Sequence, residues 1–225
     1  MRTVRTVVMV AAFSLAAGLL VPSTAAVAAT PRALPLIATR TVTVDVDGDA
    51  AADTVTVAPI ASGVFTVVVN TAAGELAAAT LHSTIVDDWG IEPWYGAATL
   101  DGAKGHELLL LTSGGDGAMF RVLSWRSGTL VWEAAPKSLM KGANDWYLAR
   151  LEAIRFGYRF TTSKGKRYVR DFELYAVGSR WKGTVVKSVW KAGAWTRLST
   201  SKVTLTARQA RAYNGITGVT LVATP

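Results

Sequence analysis

Cysteine is absent from all 225 residues. That one absence excludes disulfide staples, thiol nucleophiles, thiolate zinc sites and iron–sulfur clusters, and leaves the fold to its apolar core and to metal. Histidine occurs twice, as His82 and His106. Neither stands at metal-ligand spacing or beside a nucleophile, so both read as structural. No H-E-x-x-H or G-x-S-x-G pattern is present, although His106-Glu107 begins like the first. The glycine-rich Ser113-Gly114-Gly115-Asp116-Gly117 follows the apolar run Leu108–Leu111 and precedes Met119–Trp125. A phosphate-cradling loop needs a helix next, and this one is followed by a strand pattern, so it reads as a hairpin connection. Catalytic constellations are lacking, and the chain reads as a non-enzyme.

Acidic residues are scarce in one half. Residues 29–140 hold 12 acidic and 6 basic side chains, whereas residues 141–225 hold 4 acidic and 16 basic, within a chain of net charge +8. Such asymmetry points to an anionic partner, with cell-wall polymer or polysaccharide the expected class. Lys164, Lys166, Arg167 and Arg170 surround one turn, and Arg180, Lys182, Lys187 and Lys191 accompany Trp181 and Trp190. No nucleic-acid fold signature accompanies them, so no specific nucleic-acid partner is expected.

The N-terminus has Arg2 and Arg5, then the apolar Val7–Val21, then Pro22 and Ala26-Val27-Ala28. This is the layout of a secretory signal peptide over 1–28, too short for a comfortable transmembrane helix. The expected product is a secreted, extracellular chain with no membrane span after cleavage, a linker over 29–40 and a single domain over 41–225.

Four carboxylates crowd the start of that domain. Asp45, Asp47, Asp49 and Asp53 fall at loop positions 1, 3, 5 and 9 of Asp45-Val46-Asp47-Gly48-Asp49-Ala50-Ala51-Ala52-Asp53. Like charges at about 5 Å repel by about 3 kcal/mol per pair at an effective dielectric near 20. A hard divalent cation removes that repulsion, and Ca²⁺ takes six to eight oxygens from carboxylates and backbone carbonyls. The expected ligands are Asp45, Asp47, Asp49, the carbonyl of Ala51, and Asp53. The flanks, Thr41–Val44 and Thr54–Val57, are β-branched and read as strands, and position 12 is Thr56, so the loop is not that of an EF-hand.

The strand–acidic loop–strand pattern D-x-D-G-D-x-x-x-D resembles the FG-GAP or VCBS-type repeats of integrin-like β-propellers. The resemblance implies a bacterial, calcium-binding β-repeat protein. It departs from the family at position 6, where Ala50 stands in place of Gly and is expected to carry the positive φ of the turn, at a strain of about 1–2 kcal/mol.

A repeat emerges when the loop is used as an anchor. Asp47-Gly48 and Asp53 align with Asp101-Gly102 and Glu107 at an offset of 54, while Asp45 and Asp49 become Thr99 and Ala103. Asp88-Trp89 and Asp145-Trp146 supply a second anchor, 57 apart. The expected architecture is all-β: three tandem propeller-blade-like units over 41–90, 91–146 and 147–205. One short C-terminal helix follows, opened by the capping-box pattern Thr206–Gln209 and running to Tyr213, with a last strand over Gly218–Ala223. Three blades do not close a propeller. An open array, a half-ring completed by a second copy as a homo-oligomer, and a sandwich all fit.

A second functional reading uses Asp87-Asp88-Trp89-Gly90-Ile91-Glu92-Pro93-Trp94-Tyr95. Carboxylates beside Trp89, Trp94 and Tyr95, with Glu92, could serve a carbohydrate-binding or carbohydrate-active site. The competing expectation is that both tryptophans fill the packing between units.

Overall fold

A computed structural model describes residues 38–136 and 145–222. The expected signal peptide and nearly all of the expected linker lie outside the described residues. The fold is all-β, with two short helices among the described residues. Strands β1 (Arg40–Val44), β2 (Asp53–Ala61), β3 (Val64–Asn70) and β4 (Leu76–His82) form an antiparallel meander of their own. Helix α1 (Ile85–Trp89) leads to β5 (Trp94–Ala98), β6 (Glu107–Ser113), β7 (Ala118–Arg126) and β8 (Thr129–Glu133). Then come β9 (Trp146–Arg150), β10 (Ile154–Ser163), β11 (Lys166–Val177), β12 (Arg180–Lys191) and β13 (Ala194–Thr206). Helix α2 (Ala207–Ala210) and β14 (Gly215–Thr217) complete the described chain.

The first expected unit is a separate four-stranded sheet, but the second and third share one ten-stranded sheet. The joint is β7. Its first half pairs with β9 through Ala118–Phe120, and its second half pairs with β8 through Val122–Arg126. A strand nine residues long can serve two neighbours in succession, so no sheet boundary forms between these units.

Alternation sets the inward faces. Val55 and Val57 of β2 and Phe65, Val67 and Val69 of β3 are buried at every second position, as a half-covered strand requires. Strand β6 is buried through Leu108–Leu111, which is why it reads as a continuous apolar run. Both sheets contribute to one core, in which Trp146 touches Phe120 at 5.8 Å, Tyr158 at 4.8 Å and Phe160 at 6.3 Å between ring centroids. Two-residue turns close several hairpins. Ser127-Gly128, Lys164-Gly165 and Ala192-Gly193 each have two consecutive positive φ values, the type I′ signature that matches strand twist.

The C-terminal helix keeps its capping box, with Thr206 and Gln209 bonded reciprocally, but ends at Ala210 rather than Tyr213. The last strand also shifts. It is Gly215–Thr217, parallel to β10, and Val222 makes only an isolated bridge to Ala97. Gly218 has φ +76 and lies against the Phe160 carbonyl, so the chain turns there instead of starting a strand.

The two Asp-Trp pairs are not equivalent. Trp146 is fully buried on β9, whereas Trp89 ends α1 and is 56% exposed. Removing Trp146 should cost about 3–5 kcal/mol as Trp146→Ala, while Trp89→Ala should stay within about 0.5 kcal/mol. Urea unfolding of both variants checks this, and equal losses would contradict the core assignment.

Candidate functional site

Two hairpin loops of the same length lie against each other. Loop 45–52 joins β1 to β2 and loop 99–106 joins β5 to β6, with Val44 facing Asp53 and Ala98 facing Glu107 in identical register. Gly48 and Gly102 both adopt φ +83. In each loop a buried acid at the base accepts a backbone N–H from the start of the turn. Asp53 Oδ2 accepts from Val46 at 2.6 Å, and Glu107 Oε2 accepts from Leu100 at 2.6 Å. The offset of 54 is therefore a real duplication of local geometry. Contact between the loops is close: His106 donates its backbone N–H to the Asp45 carbonyl at 3.0 Å, and its Nδ1 lies 2.9 Å from the same oxygen. A Cβ on Gly105 would strike the Val46 carbonyl, and one on Gly48 would strike Lys104.

In the first loop, Asp45, Asp47 and Asp49 bring carboxylate oxygens within 4.8 Å of one another on a half-exposed surface. No basic side chain among the described residues makes an ion pair with them. Each also holds a turn N–H: Asp45 takes those of Gly48 and Ala50, Asp47 that of Asp49, and Asp49 that of Ala51. The Asp47 carboxyl is raised above its ordinary range, by desolvation first and then by the charges of Asp53, Asp49 and Asp45. Asp53 does not join this group. It is fully buried beneath the loop, its other oxygen accepting the Ala72 N–H at 2.9 Å. Ala50 has φ +72, the strained conformation its position demands.

The second loop leads to a cluster that motif reasoning missed. Asp101, Glu107 and Glu133 are all buried and bring their oxygens within 4.8 Å of one another, a group that could hold a metal ion. Arg126 already reaches into it. Its Nη2 pairs with Asp101 and lies 3.5 Å from Glu107 and 3.8 Å from Glu133. Ser124 and the Trp195 indole donate to Glu133 at 3.1 and 2.9 Å. Arg167, from β11, donates to the carbonyls of Leu100 and Thr99 at 2.8 and 2.9 Å and stacks on Phe160. Burial first, then the neighbouring carboxylates, pushes Glu107 up to about 7 and Glu133 up to about 8.

The aromatic segment does not assemble into a platform. Trp94 is only 1% exposed, and the half-buried Tyr95 stacks on the buried Phe120, because both lie on a strand packed against the core. Glu92 pairs with Arg40 at 3.3 Å, and Asp87 accepts the Ser62 hydroxyl of a neighbouring turn at 2.8 Å. Of the proposed rings Trp89 is largely exposed, Tyr95 is half-buried and Trp94 belongs to the core. No helix among the described residues is long and apolar enough to cross a membrane. No protein-family model matches the chain, and no curated protein or solved structure matches it.

Two outcomes follow from the buried acids and the strained turn. Glu107 and Glu133, with Asp171 raised to about 7 mainly by burial, hold protons in the fold that the unfolded chain releases near its ordinary 4–4.5. The unfolded state then binds fewer protons between about pH 4.5 and 8, so stability should fall as pH rises through that window. Melting from pH 5 to 8 should show that decline, and Glu133→Gln should flatten it; a rise toward pH 8 would refute the assignment. Ala50→Gly should stabilise by up to about 1 kcal/mol through relief of the left-handed backbone, read as a higher melting temperature.

Proposed function

We propose that this chain is a secreted, calcium-stabilised β-repeat module that binds or supports rather than catalyses. The observation carrying the reading is the convergence of Asp45, Asp47 and Asp49, with which no cation among the described residues makes an ion pair. Hard carboxylate oxygens on a partly exposed loop fit Ca²⁺, whose remaining positions carbonyls and water can fill. The likeness of this loop to FG-GAP/VCBS repeats supports the same ion. The buried group at Asp101 is the weaker candidate, since a metal there would have to displace the Arg126 guanidinium. In the open loop, Asp45 and Asp47 would contribute the charge and Asp53 would hold the turn from below.

Ca²⁺ at ten times its Kd should add about 1.4 kcal/mol to stability, about 3–6 °C in melting temperature for a domain this size. Calorimetry with millimolar Ca²⁺ against chelator reads the shift. Asp47→Ala should abolish the Ca²⁺-dependent rise. No rise in the parent protein, or an equal rise in Asp47→Ala, would remove calcium from this loop.

A further inference from the structure

Across the C-terminal strands, three cations stand directly opposite one another. Arg159 on β10 faces Arg170 on β11, and Arg170 faces Lys187 on β12. Neighbouring strands lie about 4.8 Å apart, so the three form a straight row across the sheet. Thr217 on β14 extends it at one end and Ser199 on β13 at the other. Like charges directly opposite each other destabilise a sheet. Internal compensation is missing: among the described residues none of the three has an ion pair. The sequence supplies none from elsewhere in this region, because no Asp or Glu follows Glu173. Asp171 and Glu173 alternate onto the opposite face of β11 from Arg170. The buried hydroxyl of Thr217 also lacks a hydrogen-bond partner.

The rings on this face already have partners. Lys187 Nζ sits 4.6 Å from the Tyr168 ring, the Arg155 guanidinium 4.7 Å from Trp181, and Tyr213 packs edge-on against the buried Phe172. None of these rings is fully exposed for stacking a base or a sugar, as single-stranded nucleic acid and glycan sites use: Phe172 and Trp181 are buried, and Tyr168 and Tyr213 half-buried. Recognition on this face rests on charge. Guanidinium forks match phosphate oxygens in pairs, and a row of them suits a ligand whose charges repeat along a line.

We propose that the Arg159–Arg170–Lys187 row is a binding site for a linear polyol-phosphate polymer, an extended phosphodiester chain of the kind carried by cell walls. Each cation takes one phosphate, and the polymer runs across the strands. The site is distinct from the acidic loop and does not depend on calcium, so it is tested in chelator, where failure of the calcium reading has no bearing on it.

Binding of poly(glycerol phosphate) to the protein should weaken roughly twenty-fold between 50 and 200 mM salt, the expectation for three phosphate contacts on a flexible chain. The triple variant R159Q/R170Q/K187Q should lose at least ten-fold at 50 mM and most of that salt dependence. It should melt no lower than the parent, since its charges repelled one another; if it fails to fold, R159Q alone, at an exposed position, carries the test with a three-fold or greater loss. R180Q/K182Q/K202Q removes the same number of charges from the opposite face and should leave binding within two-fold. Equal losses in the two triples would show attraction to net charge and overturn the site. Binding unchanged in the first triple, absent in the parent, or stronger to single-stranded DNA would overturn it as well.

Discussion

Asp101, Glu107 and Glu133 come from a loop, the strand after it and the end of β8, and they meet at one guanidinium, Arg126. Three ionised carboxylates out of water would repel strongly, and a single Arg neutralises only one of them. The protein resolves this by keeping protons on Glu107 and Glu133 near neutrality and by aiming donors at what remains, from Ser124, Trp195 and the Leu100 N–H. Those donors belong to β7, β13 and the loop itself, so satisfying the acids fixes where three distant stretches of chain can sit. A buried polar network of this kind is stabilising only when every member is satisfied, which makes it a strong constraint on the packing around it.

The two hairpins show one backbone used with two charge solutions. Both loops have an acid at the base holding the turn, a Gly at the same positive φ, and an Asp beside it. In the second copy the turn Asp faces inward and is met by Arg126, a cation supplied by the protein. In the first copy the equivalent Asp47 faces partly outward beside Asp45 and Asp49, and among the described residues no guanidinium pairs with it. Exposure decides the difference: a half-solvated group can exchange a cation with solvent, while a buried one must have it built in.

Much of the fold was legible because it depends on neighbours in sequence. The strands flanking the acidic loop, the capping box at Thr206 and the positive φ of Ala50 all follow from local chemistry. The duplication of the acidic loop was legible for the same reason. The Asp-Trp anchor misled because a dipeptide carries no record of burial: Trp89 closes a one-turn helix held by Ile85 and Val86, while Trp146 enters a strand between two others. The Asp101 cluster left no motif, since Glu133 lies 26 residues beyond Glu107 and its indole donor lies 62 residues beyond Glu133. An unusual glutamate at the end of an apolar strand, Leu130–Glu133, was the available signal, and it has no fixed spacing to search for.

The charge imbalance between the halves resolves into different roles once the strands are paired. Arg126 and Arg167 serve the interior, one on carboxylates and one on the carbonyls of the second loop. Arg155 and Lys187 lie over aromatic rings, so their stems and charges cover apolar surface. Arg159 and Arg170 remain as charges set against each other in register, with Lys187 continuing the line. A sheet gains nothing by itself from such an arrangement, because shifting any one of these residues by a single position would move it to the other face and end the repulsion. Like-charge register in an otherwise well-satisfied sheet is the kind of local conflict that stable folds tolerate where a ligand, rather than the fold, supplies the opposing charge.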